Sequence, residues 1–146
     1  MNNFTFFISV LICASFTNCA STKKLQKSAP LAFKQAYYRT TADNNINFYV
    51  SVATKIPEVN LQYLYFKGLK SPIATNVSDN NMFQAYFNTG KLDFVMSGNP
   101  KGEYGNTLPQ KPVKSPVELK KGQALLEYSK KGKTYYFVLT NIEERK

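Results

Sequence analysis

An all-β, antiparallel domain is what this sequence predicts, and three observations carry the prediction. Short runs rich in β-branched and aromatic residues recur between clusters of turn formers. No stretch beyond the first residues sustains the 3.6-residue apolar period of an amphipathic helix. Aromatics make up 14% of the chain, with ten Tyr, eleven Phe and no Trp, a content of large apolar rings foreign to disordered chains. The expected architecture is a β-sandwich of seven to eight strands, Ig-like in broad shape, and the 146 residues suffice for one such domain.

The predicted strands, in order, are Phe33 to Thr40, Asn47 to Ala53, Leu61 to Lys67, Ile73 to Val77, Met82 to Phe87, Leu92 to Ser97, Gln123 to Ser129 and Thr134 to Asn141. Between them lie DNN at 43–45, KIPE at 55–58, KGLKSP at 67–72, SDNN at 78–81, NTGK at 88–91 and KKGK at 130–133. All are built from residues that turn the chain. The clearest hairpin is the last, where Gly132 supplies the positive φ that closes a short loop. Alternation assigns Leu92, Phe94 and Met96 to one buried face, and Tyr135, Phe137 and Leu139 to another. Tyr136 and Val138 fall on the opposite face of the last strand, which is therefore covered on both sides or left apolar enough to bind something.

One long stretch is irregular: residues 98–121, where Pro100, Pro109, Pro112 and Pro116 prevent ladder pairing through most of its length. Val117 to Leu119 are placed as a brief edge pairing. Loops this long inside a compact domain are often functional, which makes Asn99, Lys101, Glu103, Tyr104 and Asn106 the candidate contact residues. The alternative is a plain crossover packed by Tyr104 and Leu108.

The N-terminus reads differently. Phe4 to Phe16, FTFFISVLICASF, is an uncharged apolar run of 13 residues, whereas a bilayer-spanning helix needs about 20. It fits the core of an export signal over residues 1–18, ending at Cys19, which opens a polar stretch and is the candidate for lipidation. The first residues carry no Lys or Arg, and Phe16 and Asn18 depart from the usual residues before a lipidated cysteine. The alternatives are an ordinary cleaved secretory signal, or a buried apolar strand of a cytosolic protein. Residues 19–30 then form a basic tether and residues 31–146 the folded domain, held to a membrane by acyl chains on Cys19.

Charge and residue inventory narrow the chemistry. The formal net charge is +10 and the pI near 9.6; the lysines are spread over the chain and read first as solubilising, and any partner that charge selects is anionic. There is no histidine, and the two cysteines, Cys13 and Cys19, both precede the domain. Ser-His-Asp and Cys-His sites, and an internal disulfide of the domain, are thereby excluded. Glu103 and Glu118 are the least implausible carboxylate pair for hydrolysis. Asp43-Asn44-Asn45 and Asp79-Asn80-Asn81 read as turns rather than calcium loops. No enzymatic activity, cofactor or metal is expected. Tyr37-Tyr38-Arg39, and Tyr63 and Tyr65 beside Lys67 and Lys70, are the only pattern suited to stacking nucleic-acid bases, and aromatic strands are more usually core. No nucleic-acid partner is expected.

Cys19-Ala20-Ser21-Thr22-Lys23-Lys24, Leu64-Tyr65-Phe66-Lys67-Gly68, the run from Met96 to Asn106, and Gly132-Lys133-Thr134-Tyr135-Tyr136-Phe137 together resemble a family of small uncharacterised Bacteroidetes (flavobacterial) lipoproteins. The resemblance spans nearly the whole chain and implies no particular activity. It implies an outer-membrane lipid anchor and, since surface-bound lipoproteins of that group tend to carry acidic residues after the cysteine where this chain has Ala20 to Lys24, the resemblance implies that the domain faces the periplasm. The expectation is a membrane-anchored envelope module that binds or scaffolds a protein or glycan. The second expectation is a basic domain that associates with anionic lipid or polysaccharide surfaces.

Overall fold

The computed structural model describes residues 25–75, 79–89 and 110–146. Eight strands form within them: β1 (Phe33–Thr40), β2 (Ile46–Val52), β3 (Val59–Phe66), β4 (Leu69–Thr75), β5 (Met82–Phe87), β6 (Ala124–Lys130), β7 (Lys133–Leu139) and β8 (Glu143–Glu144). β1 and β5 have the predicted bounds, and most of the other predicted strands are displaced by only one or two residues. The predicted strand Leu92 to Ser97, with its inward face, lies outside the described residues.

The all-β, antiparallel character is as the sequence predicts; the layering is not that of two separate sheets. One sheet in the order β7-β6-β3-β4-β5-β2-β1-β8 curls into a half-barrel, antiparallel throughout except where β8 lies parallel to β1. The hinge of the curl is β4. Its first half pairs with β3 (Phe66 with Leu69 through Tyr63 with Pro72), and its second half pairs with β5 (Ile73 with Ala85 through Thr75 with Phe83). Pro72 stands where the pairing changes sides, a position where a missing N–H is tolerated. KGLKSP is therefore not a six-residue turn: only Lys67-Gly68 turns, and Leu69 to Pro72 are strand. Both turn residues have positive φ, 48° and 77°, the geometry that matches the twist of a tight hairpin. Lys131-Gly132 repeats it at 51° and 73° between β6 and β7.

The concave face holds the core. β2 shows the alternation in full, with Ile46, Phe48, Val50 and Val52 buried between half-exposed neighbours. A bulge in β3 between Leu61 and Tyr63 resets its phase, so that Leu61, Leu64 and Phe66 join the core while Tyr63 and Tyr65 take the opposite face, Tyr63 exposed and Tyr65 buried. Phe66 sits at the centre, its ring 5.0 Å from Phe48, 5.1 Å from Tyr38 and 6.2 Å from Phe87. Leu139 is buried, and Tyr135 and Phe137 pack against the same cluster, as their alternation predicts. Val117 to Leu119 form no strand. The polar residues at 110–116 instead run past the β3–β4 turn, where the Val113 N–H donates to the Gly68 carbonyl at 2.8 Å.

Two additions extend the sheet at its open side. Leu25 makes a parallel bridge with Tyr136, and the Gln26 N–H donates to the Tyr136 carbonyl at 2.8 Å, so the described part of the tether already touches β7. β8 adds to β1 opposite Tyr37 and Tyr38.

Candidate functional site

Cys19 and the contact residues Asn99, Lys101, Glu103, Tyr104 and Asn106 all lie outside the described residues. Of the carboxylate pair only Glu118 is described, and it is exposed on the surface. Asp79 accepts from the Asn81 N–H at 2.8 Å, and Asn44 takes a φ of 60° after the Asn44 N–H donates to the Thr41 carbonyl. Both segments are turns, as expected. Among the described residues no three His, Cys, Asp or Glu side chains are grouped closely enough to hold a metal ion.

Two clusters of titratable and aromatic side chains do form. The first lies on the convex face, where β6, β3 and β4 are adjacent. The Tyr65 hydroxyl donates to Glu127 Oε2 at 2.8 Å, and Lys70 Nζ donates to the same oxygen at 3.1 Å. Lys70 also lies 3.9 Å from the Tyr63 ring centre and 4.9 Å from that of Tyr65. Burial and the neighbouring Glu127 carboxylate push the Tyr65 phenol up, with Lys70 partly opposing them. For Lys70 burial works to lower the pKa, but its bonds to Tyr65 and Glu127 win and raise it. The arrangement holds the lysine charged and the phenol protonated, which is the behaviour of a structural ion pair and not of a general base.

The second cluster is at the end of the half-barrel marked by the Lys67-Gly68 turn. Lys67 Nζ donates to the Tyr38 hydroxyl at 3.1 Å and lies 4.2 Å from the centre of that ring. Tyr38 in turn donates to Glu144 at 3.3 Å, and Thr40 donates to the other oxygen of the same carboxylate. The Thr40 hydroxyl above all, together with Tyr38 and the charge of Lys67, holds the exposed Glu144 carboxyl below its ordinary value. Beside this chain a cavity of about 240 Å³ opens, lined by Tyr38, Phe66, Lys67, Lys120, Lys121 and Gln123 among others.

A groove of about 410 Å³ lies between β1 and β7, with Phe33 and Phe137 among its lining residues and their rings stacked at 5.7 Å. Arg145 is in its lining too, fixed over the Tyr37 ring at 4.1 Å and donating to Gln35 at 3.2 Å.

The aromatic residues that suggested base stacking are thus already in contact with this chain's own cations: Tyr38 with Lys67, Tyr63 and Tyr65 with Lys70, Tyr37 with Arg145. Sequence reasoning placed these lysines near these tyrosines but missed Glu127, which reads in sequence as one surface carboxylate among several. Its register opposite Tyr63 is set by the pairing of β3 with β6, strands some sixty residues apart, and no local signal reports that. Asn45 likewise reads in sequence only as a turn residue; it is buried, and its side-chain oxygen accepts from the Thr89 N–H at 3.1 Å.

No protein-family model, curated protein or solved structure matches the chain.

Proposed function

We propose that the chain is an exported envelope protein anchored by acyl groups on Cys19, with a non-enzymatic binding or scaffolding domain on the periplasmic side of the outer membrane. The observation that carries this reading is in the sequence: a 13-residue apolar run, too short to span a bilayer, followed at once by a cysteine and a polar, basic stretch. The docking of Leu25 on β7 agrees with it. Leu25 is six positions after Cys19, a span of at most roughly 22 Å, so an anchored domain would stand close to its membrane.

Metabolic labelling with a clickable fatty acid, comparing the natural chain with Cys19→Ala, followed by membrane fractionation, tests the anchor. Label and membrane association that both disappear in the variant are the expected result. A natural chain that stays unlabelled and soluble in the cytoplasm overturns the proposal.

A second reading, association with anionic surfaces, is favoured by the lysines at the β6–β7 turn. Lys130, Lys131 and Lys133 lie at the end of the sheet from which β7 starts, and Ser28 to Pro30 of the tether line a groove with Lys130 and Lys131. Of these only Lys131 has a carboxylate nearby, Glu58 at 3.9 Å, among the described residues. Binding of Cys19→Ala protein to anionic vesicles, falling steeply as salt rises, is the expected outcome for this reading. Binding equal to that on neutral vesicles removes it.

A further inference from the structure

The Lys67 end of the half-barrel is constructed in a way that a scatter of solubilising lysines is not. The turn carrying Lys120 and Lys121 is fixed at three points: the Gln123 side-chain oxygen accepts from the Lys120 N–H at 2.9 Å, the Gln123 N–H donates to the Lys120 carbonyl at 3.1 Å, and the Ile142 N–H donates to the Gly122 carbonyl at 3.0 Å. Gly122 makes this possible with a φ of 74°. Across the cavity Lys67 is held by the Tyr38 hydroxyl and ring, so its ammonium is positioned before any ligand arrives. Phe66 and Ile142 are buried and contribute to the lining, so the charges gather beside an apolar wall. Among the described residues Lys120 and Lys121 make no ion pair, and Glu144, whose carboxylate feels the charge of Lys67, is outside the lining.

We propose that the cavity formed by Lys67, Lys120 and Lys121 binds the phosphate of a small phosphomonoester. Three lysines make a cluster of point charges, the mode in which lysine holds the tetrahedral dianion of a phosphate. The volume, about 240 Å³, is below the usual range for drug-sized ligands, roughly 300 to 1,000 Å³, and admits a phosphate with a small substituent. The position within the fold separates two sources of that phosphate. Val59 pairs with Lys130 at one end of β3 and Tyr65 with Leu125 near the other, so the Lys67 turn and the Lys131 turn stand at opposite ends. The eight residues of β3 put about 25 Å between them. If the tether runs to a membrane, as proposed above, the cavity is turned away from it, and a soluble phosphomonoester rather than a headgroup of that membrane is the expected ligand. The phosphate site itself does not depend on the anchor.

The test is an amide NMR titration of the isotopically labelled full chain in neutral detergent, with inorganic phosphate, a hexose 6-phosphate and phosphatidic acid vesicles as three separate probes. Saturable shifts of Gly68, Gly122 and Gln123 with the first two probes are expected, with Lys120→Ala/Lys121→Ala weakening binding by about tenfold or more and Lys130→Ala/Lys131→Ala leaving it unchanged. Because Lys120 and Lys121 are exposed turn residues, their replacement leaves the core intact. Saturation only with vesicles keeps the phosphate site and reassigns its source to lipid. No saturable shift with any probe, or equal weakening by the two lysine pairs, overturns the proposal.

Discussion

At Glu127 one carboxylate oxygen serves two donors on a face that is otherwise half apolar, with Leu125 wholly buried two residues away. Its removal leaves the Tyr65 hydroxyl and a partly buried ammonium without their acceptor, a loss of about 1–3 kcal/mol for Glu127→Ala. The pH dependence has a definite sign. Lys70 binds its proton more tightly when folded, so its contribution is complete below its ordinary value of 10.5 and disappears as pH rises through the folded value. Tyr65, Tyr128 and Tyr136 are also raised, chiefly by burial; above their ordinary value of 10.0 the unfolded chain ionises first and stability falls further. Urea denaturation between pH 8 and 11 should therefore show a steep alkaline decline, shallower in Glu127→Gln because both Lys70 and Tyr65 lose the carboxylate that raises them. Parallel declines in the two proteins would mean that the triad is not formed in solution.

Among the elements, the β3–β4 hairpin does two tasks: it closes with two residues of positive φ, and it delivers Lys67 onto Tyr38. A Cβ at Gly68 would meet nothing within 4 Å, so Gly68→Ala isolates backbone strain from crowding. The expected loss is about 1–2 kcal/mol, read as a lower urea midpoint with an unchanged m value. A change smaller than a few tenths of a kcal/mol would show that the turn relaxes to another geometry. Four residues after Gly68, at Pro72, β4 begins its transfer from β3 to β5, and Ser71 secures the corner. It is almost wholly buried, and its hydroxyl donates to the Tyr86 carbonyl at 2.6 Å. That bond spans the strands just where Pro72 offers no N–H.

For the whole molecule, stability rests on one cluster that the curl of a single sheet brings together. Phe66 belongs to β3, Phe48 to β2, Phe87 to β5 and Tyr38 to β1, so one ring ties together strands from both halves of the sheet order. Phe66→Ala should cost about 3–5 kcal/mol, a large share of the roughly 5–15 kcal/mol that holds a domain of this kind. Thermal or urea unfolding measures it directly, and a loss under about 1 kcal/mol would mean the half-barrel is not packed around that ring. Charge is spread over both ends of the molecule: Lys27, Lys130, Lys131 and Lys133 around the tether end, Lys67, Lys120 and Lys121 around the other. The two groups can therefore act on different anions, one near the anchoring surface and one away from it.

The strands themselves were legible because a strand half buried by its sheet writes its faces into alternate residues: Ile46 to Val52 declares inside and outside over seven positions. The Lys131-Gly132 turn was legible for the same local reason, a glycine where the chain needs a positive φ. Lys67-Gly68 carried the same signal, yet Pro72 obscured it, since proline reads as the end of a strand unless a change of pairing partner excuses it. What no local pattern contains is which strand lies beside which. The neighbours β3 and β6, β2 and β5, β1 and β8 are chosen by long-range closure of one core, and only that closure puts Glu127 under Lys70 and Lys67 opposite Lys120 and Lys121. The sequence by itself determined the fold class, the charge and the residues available for chemistry; the tertiary structure alone decided which of those residues meet, because meeting requires pairing across dozens of residues that local periodicity does not record.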